Sequence, residues 1–325
     1  MEEDIARLPV GGVAVPGRGF SRLSIAGLIV SVFAVAGVVW WALHQEPPQF
    51  PDSASEWGSL AGAIALYALA TLVRGERWHS LLRAEGGRQS RIDSQGLNAV
   101  GYAGNNILPA RAGDAVRVFL MAPIATMSKK AVLGTLLAER LLDITVILIL
   151  FLVVGYGLLG EAGGGEVGWI VLATAAVATA GVIGVVLIRR NERLHAIVAP
   201  ILSSTLQLRG RHGLTLLGIT FVIWGLEAGV WMSTGAAAGF PMDPIEGCYI
   251  VALASVFALI PSGPGYAGTQ DAAAVTGILA LGGTHSQAVT YLILVRFVIA
   301  VPITIVGLAL MAARYGGLRR LRPAR

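Results

Sequence analysis

Two polar stretches interrupt sequence that is otherwise apolar: GYAGNNILPARAGDAVR at residues 101–117 and IPSGPGYAGTQD at residues 260–271, which share the tetrapeptide GYAG. Proline, glycine and ionised side chains at membrane depth are stable only where the freed backbone is buried in protein or lines a wet cavity. The two stretches therefore point to a substrate path. In the first, Asn105 and Asn106 precede a break at Pro109 and Gly113, and Arg111, Asp114 and Arg117 follow at helical spacing. A helix starting there would offer open backbone amides beside Arg111, a receptor suited to phosphate. The plain alternative is a basic cytoplasmic loop near the headgroups, with Asp114 and Arg117 paired to each other.

In the second stretch, Pro261, Gly263, Pro264 and Gly265 cannot continue a helix, so the chain must break. Thr269, Gln270 and Asp271 open the return arm. Asp271 either caps that arm or joins Thr269 and Gln270 in lining a polar cavity shared with the first stretch. Arg296 stands mid-span in YLILVRFVIA, where an unpaired guanidinium costs at least roughly 2.5 to 3.5 kcal/mol. Glu227, near the centre of the preceding full span, is the expected partner. Either the two form a fixed bridge, or Arg296 receives a substrate anion while Glu227 competes for it or carries a proton. Glu139, Arg140 and Asp143 share a further segment, as an interfacial salt bridge or as part of the cavity lining. The expected substrate-binding set is thus Asn105, Asn106, Arg111, Asp114, Arg117, Thr269, Gln270, Asp271 and Arg296. Glu139, Arg140, Asp143 and Glu227 are expected to balance charge or relay protons.

The elements that must hold these residues are helices. Apolar stretches near the roughly 20 residues that cross a bilayer lie at 25–43, 57–73, 131–160, 167–188, 214–240 and 286–313. That predicts six full spans. Two further apolar regions, 92–127 and 245–283, have arms of about 15 residues, or roughly 22 Å, too short for a 30 Å hydrocarbon core. Each is expected to be a re-entrant helical hairpin, the first entering from the cytoplasm and the second from outside, as an inverted pair; ten tilted spans are the alternative. Lys and Arg fall in the tail before residue 25, between Arg74 and Arg91, between Arg189 and Arg211, and after Arg314, and the alternate loops have none. Both termini are then cytoplasmic, with 1–24 and 314–325 as tails around one membrane domain, 25–313. The loop at 189–213 is expected to carry an interfacial amphipathic helix or a simple connector.

Composition agrees with an all-α integral membrane protein: 55% of the 325 residues are hydrophobic and 13% charged, with a mean hydropathy of +0.72. The net charge of +5 sits between apolar spans, which argues against nucleic acid as a partner. One cysteine, Cys248, allows no internal disulfide, and five scattered histidines lack metal-ligand spacing. No metal and no cofactor are expected. The first apolar run reads as a retained helix, with no cleavage site for a signal peptide. No nucleophile elbow, phosphate-binding loop or zinc motif is present, so the expectation is a protein that is not an enzyme.

Three motifs in this order, NILPARAGDAVR at 106–117, AERLLD at 138–143 and IPSGPGYAG at 260–268, resemble the membrane domain of lysylphosphatidylglycerol synthases, also described as flippase-like proteins. In that family the position of Asp114 is often Glu, so this chain keeps the charge and shortens the reach. The larger members carry a soluble aminoacyl-transferase domain after the membrane part. The resemblance accordingly implies the translocation half: a flippase or transporter for an anionic phospholipid, a hopanoid or a lipid-linked intermediate in a bacterial inner membrane. Its implied partners are membrane lipids, with a homo-oligomer or a separate lipid-modifying enzyme as further candidates. A proton- or ion-coupled transporter of small solutes, or a transferase modifying a lipid headgroup, is the alternative function.

Overall fold

Helices account for almost all of the described chain. The computed structural model describes residues 47–108, 111–159, 208–258 and 267–316, with Gly265 and scattered positions between Phe33 and Gln45. The expected spans at 25–43 and 167–188 and the connector at 189–213 fall wholly or largely outside those residues. Among the described residues, eight helices follow one another: α1 (Ala54–Ala84), α2 (Arg91–Ile107), α3 (Ala112–Ala125), α4 (Lys129–Leu159), α5 (Gly210–Ala237), α6 (Pro244–Phe257), α7 (Thr269–Ala280) and α8 (His285–Ala313).

Local chemistry sets several boundaries. Ser53 and Glu56 form a reciprocal capping box at the start of α1, Asp243 and Glu246 do so before Pro244 opens α6, and Thr284 and Gln287 do so at α8. Each satisfies amides that the first turn leaves open. Helices α1, α5 and α8, of 31, 28 and 29 residues, are long and apolar enough to cross a membrane. Leu69, Leu72, Leu214, Ile305 and Leu308 on these helices face outward, an apolar surface suited to lipid. Helix α4 has 31 residues, but Glu139, Arg140 and Asp143 interrupt its apolar sequence.

The two expected breaks are real breaks. Region 92–127 becomes α2 and α3 packed on each other, and region 245–283 becomes α6 and α7 packed on each other. Their 17, 14, 14 and 12 residues correspond to roughly 18 to 26 Å at 1.5 Å per residue. Close contact of α2 and α3 depends on glycine: a Cβ on Gly113 would lie 2.0 Å from the Gly101 carbonyl oxygen, and one on Gly104 would lie 2.7 Å from Gly113 Cα. The second GYAG does a different job. Gly265 and Gly268 adopt φ of +62° and +95°, where a side chain is strained, and Gly268 is the residue before α7. The shared tetrapeptide therefore does not mark equivalent positions.

Packing relates the two halves instead. When α1–α4 are exchanged with α5–α8, every substantial helix contact maps onto another: α2 lies on α8 as α6 lies on α4, α3 on α4 as α7 on α8, and α1 on α2 as α5 on α6. Helix α1 packs on its own counterpart, α5. The two run antiparallel, because Arg74 meets Glu227 while Arg77, one turn later, meets Thr220, seven residues earlier. The first helices of the two halves thus point in opposite directions.

Candidate functional site

Arginines and carboxylates from α1, α3 and α4 form one connected network, and Arg74 of α1 with Glu227 of α5 makes a separate pair beside it. Arg77 donates to both carboxylate oxygens of Asp143, at 2.7 and 3.2 Å, and to Thr220, with Glu139 at 3.7 Å. Arg117 donates to Glu139 at 3.0 Å and lies 4.0 Å from the centre of the Trp78 ring. Arg140 donates to Asp114 at 3.1 Å and stands 3.8 Å from Asp143. Arg74 donates to Glu227 at 2.5 Å. Four guanidinium groups thus face four carboxylates, which is how buried charge becomes tolerable.

Several expected pairings change. Glu227 serves Arg74 rather than Arg296, because α5 packs along α1 at that depth. Arg296 donates instead to Asp271 and to the Gly265 carbonyl oxygen. Asp114 makes its closer ion pair with Arg140, and Arg117, three residues along its own helix, stands 3.8 Å away. Arg117 is closed in by Glu139 and Trp78. Glu139 and Asp143 are buried in the bundle instead of paired at a surface. Arg74 and Arg77, expected in a cytoplasmic loop, lie inside α1, which runs on to Ala84 because carboxylates on neighbouring helices meet their charge.

The two breaks meet inside the molecule. Arg111, the residue before α3, has φ +55° and donates to the Ala258 carbonyl oxygen at the end of α6. Asn106 donates to Thr304 at 3.0 Å on α8, and its Oδ1 is one of the nearest atoms to a Cβ built at Gly265, at 3.7 Å. Between the breaks lies a cavity of about 250 Å3. Arg74, Arg111, Arg140, Asp143 and Glu227 supply its charge, Asn105, Asn106, Ser255 and Gln270 its neutral polarity, and Tyr67, Tyr102, Trp224 and Trp231 its aromatic wall. Asn105 Oδ1, Gln270 Oε1 and Trp224 Nε1 are buried without a hydrogen-bond partner, leaving two acceptors and one donor on residues of this wall.

Of the expected substrate set, Asn105, Asn106, Arg111 and Gln270 line the cavity, whereas Asp114, Arg117, Thr269, Asp271 and Arg296 stand behind it. Arg140, Asp143 and Glu227, expected to balance charge or relay protons, are on the wall. Gly265 lines it as well. Pro109, Pro261, Gly263 and Pro264 lie outside the described residues. Sequence reasoning missed Tyr67, Arg74, Tyr102, Trp224 and Trp231. Trp224, Glu227 and Trp231 did carry a signal, since spacing of three and then four residues puts them on one helix face.

Comparison with known proteins agrees with the three motifs. A family profile described as the lysylphosphatidylglycerol synthase TM region matches residues 24–307. The glycosyltransferase AglD of Haloferax volcanii is 25% identical over 334 aligned positions, covering 87% of this chain, which spans about half (53%) of that relative's length. No solved structure matches the chain. Because the profile covers most of the sequence and all eight described helices begin within it, the chain belongs to the family of the lysylphosphatidylglycerol synthase transmembrane region.

Proposed function

We propose that this protein is a lipid flippase or lipid transporter that passes an anionic headgroup through the cavity between the two broken helix pairs while the acyl chains stay in the bilayer. The observation that carries this reading is the cavity itself: three arginines face it, and each already has a carboxylate or carbonyl acceptor that a phosphate oxygen can replace. Exchange of one anionic partner for another keeps Arg74 and Arg140 compensated, which a low-dielectric interior demands. Arg111 and Arg140 meet the phosphate first. Asp114, Asp143 and Glu227 retake the arginines once it leaves, and the aromatic wall holds the apolar part of the headgroup.

The arms of both helix pairs are shorter than the hydrocarbon core, which supports two re-entrant hairpins inserted from opposite sides, among six full spans. The distribution of Lys and Arg supports cytoplasmic termini in a bacterial inner membrane. The protein acts without covalent chemistry, and its partners are lipids, with a second copy or a lipid-modifying enzyme beside it. The Haloferax relative, a glycosyltransferase by name, favours a second reading, in which the membrane part serves a transferase acting on a lipid.

The test is reconstitution in proteoliposomes holding a fluorescent phosphatidylglycerol, with dithionite added outside to bleach the accessible leaflet. Wild-type protein makes the inner pool accessible, and folded Arg140→Ala leaves it at the rate of protein-free vesicles. Equal rates for wild type and variant would remove the cavity from the mechanism. Mass spectrometry of the same lipid separates the second reading, which requires a covalently changed headgroup.

A further inference from the structure

The two-fold packing relates α3 and α4 to α7 and α8, and one charge pair is repeated across it. Asp114 is the third residue of α3 and Asp271 the third of α7; Arg140 is the twelfth of α4 and Arg296 the twelfth of α8. In each half this arginine donates to this aspartate. The charges around them are not repeated. Where the first half has Arg117, Glu139 and Asp143, the second has Ala274, Val295 and Ile299 at the same offsets.

The pairs differ in access. Arg140 and Asp114 side chains are 33% and 22% exposed, and Arg140 lines the cavity. Arg296 and Asp271 are 24% and 11% exposed and stand off it, although Arg296 donates to the carbonyl of Gly265, a residue that does line it. By contrast, Arg77 and Arg117 are almost sealed, at 2% and 3%. Each aspartate also has a second donor. Asp271 accepts from the Gly268 amide at 2.8 Å, and Asp114 accepts from the Asn105 side chain at 3.3 Å. An aspartate that gives up its arginine is therefore not left without a hydrogen bond.

We infer that Asp114–Arg140 and Asp271–Arg296 are two equivalent anion stations, that this structure has the first open to the cavity and the second closed, and that the halves exchange these roles during the working cycle. Inverted halves around one central site exchange conformation in this way when access alternates between the two sides of a membrane. The station that opens trades its aspartate for a phosphate or similar oxyanion, while its counterpart re-forms the internal pair. Only the identity of the cargo rests on the lipid reading proposed above.

Symmetry supplies the reporters. Ala112 and Thr269 are the first residues of α3 and α7, two positions before each aspartate. Cys248 is the only cysteine, so Cys248→Ser gives a background in which Ala112→Cys or Thr269→Cys is the sole thiol. Sealed membrane vesicles of both orientations are treated with a membrane-impermeant maleimide. The expected result is labelling of the two reporters from opposite sides. Asp271→Asn, which loosens the closed station, raises labelling at Thr269→Cys and lowers it at Ala112→Cys, each by about fivefold or more, the lower end of ordinary coupling between sites. The double reversal Asp271→Arg with Arg296→Asp restores the pair and returns both reporters to their starting levels, separating coupling from misfolding. Labelling of both reporters from one side, or a response confined to Thr269→Cys, overturns the proposal. Because the labelling needs no cargo, reciprocal labelling beside absent phosphatidylglycerol transport would retain the two stations and reject only the lipid.

Discussion

The two halves share one packing plan and differ in how much charge they hold. Among the described ion pairs around the cavity, α1–α4 contribute four arginines, Arg74, Arg77, Arg117 and Arg140, but three carboxylates, Asp114, Glu139 and Asp143. The fourth carboxylate, Glu227, comes from α5. The second half otherwise keeps a single Asp271–Arg296 pair. One ion pair is thus common to both halves, and of the additional charges of the first half Arg74 binds it to the second through Glu227.

The largest effect expected from breaking this comparison is at Glu227. Glu227→Gln strands Arg74 in the interior and should lower stability by about 3–5 kcal/mol, measured by denaturation in lipid nanodiscs. Arg74→Met combined with Glu227→Met removes both charges and should recover most of that loss; no recovery would mean the pair does more than cancel charge.

The glycines sharpen the contrast at a smaller scale. Gly113→Ala pushes a methyl group into the Gly101 carbonyl and the Asn105 amide, and should cost about 1–3 kcal/mol as the α2 and α3 arms separate. Gly265→Asn should be close to neutral, since a built Cβ there finds its nearest atoms at 3.7 Å and Asn tolerates positive φ. Similar losses at the two positions would show that both breaks are close-packed.

Arg117→Lys keeps the charge and removes the planar group stacked on Trp78. A loss of about 0.5–2 kcal/mol in the same denaturation assay is expected, with lipid transport retained per folded molecule. A transport defect without a stability defect would return Arg117 to the ligand-binding set.

The smallest effect belongs to the seam where the end of α8 meets the start of α2. Arg314 donates to Asp93 at 2.9 Å, and the Tyr315 hydroxyl donates to the Asp93 carbonyl oxygen at 3.5 Å. Burial and the nearby Asp93 carboxylate push the Tyr315 phenol from 10.0 up to about 12. A raised pKa contributes stability below the unfolded value and loses it as pH rises through the folded one, so the window runs from pH 10 to about 12. The thermal midpoint of wild type should fall more steeply across that window than that of Tyr315→Phe; parallel curves would place the titration elsewhere.

The breaks, the helical class and the need of Arg296 for an anion were all legible in the sequence, because proline, glycine and a charge in an apolar run each have a local physical cost. Partner choice was not. Depth along a helix follows from spacing, whereas Arg77 meets Asp143 across 66 residues and Arg74 meets Glu227 across 153, pairings that only packing decides. The end of α1 was misread for the same reason. Two arginines after Val73 look like the start of a loop until their carboxylates are brought from other helices. The repeated GYAG also misled, since identical residues serve close packing in α2 and positive φ before α7, while the true equivalence is an aspartate and an arginine too far apart in sequence to form a motif.

The central claim is that a phosphate-bearing headgroup occupies the cavity between the two breaks. Photo-crosslinking with a phosphatidylglycerol carrying a diazirine on its headgroup, followed by peptide mapping of the reconstituted protein, tests it most directly. Adducts are predicted on Tyr102, Asn106, Trp224 and Ser255, which line the cavity, and should disappear in Arg140→Ala. Adducts confined to the outward-facing Leu69, Leu72 and Ile305 would contradict the account.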